Sequence, residues 1–178
     1  LKGCPIEALA AFFIQFFGGP CEYAQRRWSL SLYEAHLRFA IGQKERDAWL
    51  NNMVQAVDDV EIEEPVRSAL RWFFAHASTF LINQPSKAVN TSLVSLQPPI
   101  EDQSELETSN IQQDIAQRWQ AQLTLEMMVA AVRQENVDTV LTLIESPVVQ
   151  SFFARDRAAF LSFLAILSSN SQEVLLNY

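Results

Sequence analysis

Apolar residues recur along this chain at intervals of three and four, a period that predicts helices over most of its length. The first segment carries Leu9, Phe12, Phe13, Phe16 and Phe17 on one face. Pro5 suits its first turn, where the missing N–H would go unpaired anyway, and Glu7 complements the positive end of the helix dipole. Gly18-Gly19-Pro20 ends it, because glycine takes a positive φ without strain and proline cannot continue a helix. A second amphipathic stretch runs from Gln43 to Val60. Trp49, Met53, Ala56 or Val57, and Val60 form its apolar stripe, with Lys44, Arg46, Asn52, Gln55 and Asp59 on the polar side. An acidic turn (Asp58, Asp59, Glu61, Glu63, Glu64) leads to Pro65, which opens a third helix. Its stripe is Val66, Ala69 or Leu70, Phe73, Ala77, Phe80 and Leu81, and it stops at Asn83-Gln84-Pro85. No stretch sustains the alternation of a half-buried strand, so the fold class is all-α.

The pattern then breaks. From 84 to 109 Ser, Thr, Asn and Gln dominate, and Pro85, Pro98 and Pro99 interrupt any helix, which reads as a linker. Beyond it Ile111, Ile115, Trp119 and Gln122 or Leu123 mark a further helix. Residues 131–140 align with 165–174 at an offset of 34, each copy holding a small residue, a polar turn around an asparagine and a following valine. That period resembles ankyrin-like helix pairs, although two units without the T-P-L-H signature equally fit another helical hairpin array. The organisation expected is 1–84, a linker at 85–110, and a small helical-repeat region at 111–178 that offers a surface to a protein partner.

Composition narrows the class. Of 178 residues 49% are apolar and the net charge is −8, which describes a globular chain and argues against nucleic acid and anionic membrane surfaces as partners. No apolar run reaches the length of a membrane span, since Leu9–Phe17 is interrupted by Gln15. Cys4 and Cys21 make neither a disulfide framework nor a zinc spacing. With no signal peptide visible, a reducing, cytoplasmic setting is expected. The start at Leu1 suggests a fragment or a processed product.

The candidate chemistry centres on His36, a lone histidine among Leu32, Tyr33, Leu37, Phe39 and Ile41. Such a histidine is commonly a satisfied core residue. The order of marks around it, however, resembles the truncated haemoglobins, the group II branch in particular. The resemblance rests on Gly18-Gly19-Pro20, Tyr23, the H-x-x-F-x-I run of His36, Phe39 and Ile41, the block Glu45-Arg46-Asp47-Ala48-Trp49-Leu50, and a helix ending in Asn83. It covers about residues 5 to 84. Trp28-Ser29-Leu30 stand where the family has a glycine or proline before its histidine, and Ala35 where a basic residue is usual.

This resemblance implies a partial truncated-globin fold, lacking N-terminal helices, that binds haem b. His36 becomes the proximal iron ligand. Phe12, Phe16, Tyr23, Leu32, Phe39, Ile41 and Met53 become haem contacts. Arg27, beside Arg26, is a candidate for the propionates, since a guanidinium forks onto a carboxylate; a solvated loop pair is the other reading. Trp49 becomes an indole donor to a bound diatomic ligand (O2, NO or CO), or else a core indole satisfied by a backbone carbonyl. No residue is assigned a catalytic role. The function implied is a haem module holding a diatomic gas. A haem-dependent nitric oxide dioxygenase or peroxidase, and a haem-free interaction module, are the alternatives.

Overall fold

The computed structural model describes residues 4–20, 23, 31–84, 106–155, 157, 160, 161 and 163–168. Among them the regular structure is entirely helical: α1 (Pro5–Phe16), α2 (Leu32–His36), α3 (Gln43–Asp58), α4 (Glu64–Phe80), α5 (Leu106–Arg133), α6 (Val137–Ile144) and α7 (Pro147–Arg155). No helix among these residues is long and apolar enough to cross a membrane. The chain divides into two compact units, Leu1–Ala35 with Gln117–Tyr178, and His36–Ala116.

In the unit His36–Ala116, α3 and α4 form a helical hairpin. Its fully buried side chains are Val57 on α3 and Ala69, Phe73, Phe74, Ala77 and Ser78 on α4. Burying Phe73, 1% exposed, stabilises the fold by roughly 1.5–3 kcal/mol. The turn between the helices is held by Arg67. Its guanidinium donates to the carbonyls of Val57, Val60 and Ile62 at 3.2, 3.3 and 3.1 Å, satisfying acceptors at the end of α3. Asp58 pairs with Arg71 across the same turn. Two positions depart from the expected faces. Val60 is 54% exposed, because α3 ends at Asp58 and the helical progression no longer carries the next residues to the buried side. Arg46, expected in water, lies against α4 and donates to Thr79 Oγ1 at 2.8 Å.

In the other unit, α1 ends as its Gly-Gly pair requires. Gly18 N donates to Gln15 O and Gly19 N to Ile14 O, the paired closure of a Schellman turn, with Gly18 at φ +98°. A Cβ on Gly19 would stand 2.7 Å from the Ile14 carbonyl oxygen, so no side chain fits there. The second half of α5 is buried on several sides through Trp119, Leu125, Met128, Val129 and Val132. Leu125, Met128 and Val132 join Val149 and Phe163 in one cluster, flanked by Val140, Leu143, Ile144 and Phe153. A second Schellman turn closes α5, with Glu135 N to Val132 O and Asn136 N to Ala131 O. Here Glu135 occupies the left-handed position, at φ 56°. Asn136 then caps α6 by accepting from Thr139 N at 3.1 Å.

α5 begins at Leu106, inside the stretch read as linker; the rest of that stretch, 85–105, lies outside the described residues. Polar composition alone does not stop a helix, and no proline or glycine occurs between 106 and 146. The second of the two aligned repeat units ends in 169–174, also outside the described residues.

Candidate functional site

His36 is the last residue of α2 and is half-buried. The bend that follows exposes two large apolar side chains, Leu37 (55%) and Phe39 (50%). The Phe39 ring centroid lies 6.3 Å from that of His36, and Arg38 stacks its guanidinium over Phe39 at 4.7 Å. Ile41 is half-buried.

Asn83, just past the end of α4, staples this bend. Its Oδ1 accepts from Ile41 N at 3.0 Å, and its Nδ2 donates to Phe39 O at 2.9 Å and His36 O at 3.3 Å. The backbone adds to the clamp, since Asn83 N and Gln84 N both donate to Ile41 O. One carboxamide thus satisfies three main-chain groups of the segment that begins on the histidine.

α2 has a separate anchor at its N-terminus. Ser31, 3% exposed, accepts from Glu34 N through Oγ at 2.9 Å, the usual work of a capping serine. The same hydroxyl donates to the carboxylate of Glu126 on α5, which also accepts from Leu32 N at 2.6 Å and from Gln122 Nε2 at 2.8 Å. Burial pushes the Glu126 carboxyl above the ordinary glutamate range, while the donors from Ser31, Gln122, Leu32 and Tyr33 pull the other way. Arg133 on α5 meets Glu34 at 3.0 Å.

The block from Glu45 to Leu50 opens α3. Glu45 reaches back to Gly42 N at 3.1 Å, half of a capping box. Asp47 is held below its usual carboxylate range chiefly by its hydrogen bond from Arg46, the residue that ties α3 to α4. Trp49 is half-buried and meets Phe74 edge to face, with centroids 5.9 Å apart. Met53, also half-buried, lies one turn further on α3.

Among the other sequence-read contacts, Phe12 meets Tyr23 edge to face at 5.4 Å and lies tilted against Phe16 at 5.8 Å. The structure therefore groups His36, Phe39, Ile41, Trp49 and Met53 in one unit, and Phe12, Phe16, Tyr23 and Leu32 in the other. Arg27 lies outside the described residues. His76 serves local structure, its Nδ1 bonded to Trp72 O at 2.8 Å. Glu126 escaped the sequence reading. Its signal was a lone carboxylate in the apolar run from Leu123 to Val132.

Residues 4–79 match the family model described as bacterial-like globin. Relatives of this chain include truncated haemoglobins of group 2 and a two-on-two protein. Two-on-two hemoglobin-3 of Arabidopsis thaliana is 35% identical over 72 residues, 40% of this chain and 41% of the relative. Group 2 truncated hemoglobin 3-1 of Lotus japonicus is 35% identical over 46% of this chain and 49% of its own length. Group 2 truncated hemoglobin YjbI of Bacillus subtilis (strain 168) is 33% identical over 41% of this chain and 55% of its own. The chain thus spans about half the length of the curated relatives it matches. No solved structure matches.

Proposed function

We propose that the bacterial-like globin segment holds haem b through His36 and that its iron binds a diatomic gas such as O2, NO or CO. The observation that carries this reading is the setting of His36: a half-buried imidazole at a helix end, with Leu37 and Phe39 exposed beside it. Haem asks the protein for one axial nitrogen and an apolar surface, and these residues supply that chemistry. Ile41, Trp49 and Met53, all half-buried in the same unit as His36, would add to its contacts. No C-x-x-C-H pair is present for covalent attachment, which favours the b type. When bound, the iron supplies the site for the gas. His36 would provide a ring nitrogen to the iron, and the Trp49 indole would provide a donor for a partly negative ligand atom.

Titration of the full chain with ferric haem, followed by reduction, tests this directly. His36→Ala should abolish the histidine-ligated ferrous spectrum while leaving the helical circular dichroism intact; an unchanged spectrum overturns the assignment. Trp49→Phe keeps the ring and removes the donor. Loss of a hydrogen bond of about 1.4 kcal/mol speeds O2 release roughly tenfold, and a rate equal to wild type removes Trp49 from the ligand's surroundings.

A further inference from the structure

Among the described residues most carboxylates are exposed, and Glu126 is not. It is 8% exposed and has three kinds of donor around it: a buried hydroxyl, the first backbone N–H groups of α2, and the carboxamide of Gln122. An ionisable group is costly to hold in an apolar helix run, and a leucine there would join the neighbouring core. What the carboxylate does instead is close the N-terminus of a helix of five residues. A helix that short does not persist by its own hydrogen bonds, so it depends on groups brought to it from elsewhere. Ser31 alone satisfies the N–H of Glu34; Glu126 satisfies the N–H groups that Ser31 leaves over. Gln122, one turn earlier on α5, donates to the same carboxylate and fixes its rotamer. Glu126 also lies beyond residues 4–79, the stretch that matches the globin family model.

We infer that Glu126 is a positioning residue for α2, and that through this helix it sets the orientation in which His36 is presented. The inference rests on the proposed haem ligation for its second half only. The globin-like segment thereby takes an essential support from the helix that follows it in sequence. Charge and reach both matter: a carboxylate accepts from several donors at once, which one amide carbonyl does less well.

The test compares wild type with Glu126→Leu, Glu126→Gln and Ser31→Ala, all in the full chain. Amide exchange at Leu32 and Tyr33 is read in haem-free protein, and the iron–histidine stretching band in the ferrous haem complex. Glu126→Leu should speed exchange at those two amides by roughly tenfold or more and shift or broaden the band. Glu126→Gln, which keeps an acceptor, should restore much of both. Should the leucine variant fail to fold, the glutamine and Ser31→Ala variants decide, each with a smaller increase in exchange. Exchange unchanged in every variant overturns the inference. Faster exchange with an unaltered band overturns the orienting role of Glu126. A wild-type chain without a histidine-ligated spectrum overturns the haem reading instead, and the exchange rates still report whether Glu126 holds α2.

Discussion

The two ends of the segment from Ser31 to Ile41 are fastened by different chemistry. At the start, a buried carboxylate gathers a serine hydroxyl and the first amides of α2. At the finish, the neutral carboxamide of Asn83 spans three backbone groups, helped by two main-chain bonds into Ile41 O. A carboxamide offers donors and an acceptor together and carries no charge, so it suits a bend that presents both N–H and C=O groups. A carboxylate offers acceptors only, which matches a helix N-terminus, where only donors are left over. The difference is that one anchor titrates and the other does not.

The largest effect should come from the neutral anchor. Asn83→Ala removes three side-chain hydrogen bonds and leaves the Ile41 N–H unpaired, costing about 2–3 kcal/mol in denaturant unfolding. Asn83→Asp keeps the acceptor for Ile41 and loses the donations, so it should fall between alanine and wild type.

The pH dependence separates the two anchors more sharply. The folded carboxyl of Glu126 is raised above its ordinary value of 4.5, so the folded state binds the proton more tightly than the unfolded chain. The proton-linked part of its contribution is full below that value and is lost as pH rises through the raised one, while the hydrogen bonds accepted by the carboxylate remain. Unfolding free energy of wild type relative to Glu126→Gln should therefore decline from about pH 4.5 upward and then level off. Asn83→Ala should lower the whole profile and leave its shape unchanged. A flat difference between wild type and the glutamine variant would remove the distinction between the anchors. The smallest effect belongs to Arg133→Ala, since its pair with Glu34 is 43% and 31% exposed; a loss under about 1 kcal/mol is expected, shrinking further in salt.

Legibility in the sequence followed the range of each interaction. The helices and the end of α1 were readable because their signals are local: a three-four apolar spacing, a proline in the first turn, and a glycine pair whose backbone and space demands no other residue meets. The matching turn after α5 carried no such mark, because Glu135 takes the left-handed position that Gly18 takes at the end of α1. Asn83 was readable as a helix stop but not as a clamp, since its partners lie 42 to 47 positions away. Arg46 looked like a water-facing residue for the same reason, its partner Thr79 lying on the next helix. The histidine, the tryptophan and their spacing were visible at once; what holds the histidine in place was not.

The distance in sequence between Ser31 and Glu126 has a consequence for the order of events during synthesis. The bond joins positions 95 residues apart, whereas α3 and α4 meet across a turn of a few residues. Closing so large a loop is entropically slow compared with pairing adjacent helices. As the chain emerges, the α3–α4 hairpin is therefore complete while α2 has its Ser31 cap but not the Glu126 carboxylate. Only when the middle of α5 has been added does the helix that ends on His36 acquire its carboxylate partner, so the segment around the histidine is fixed late, timed by a residue far downstream of it.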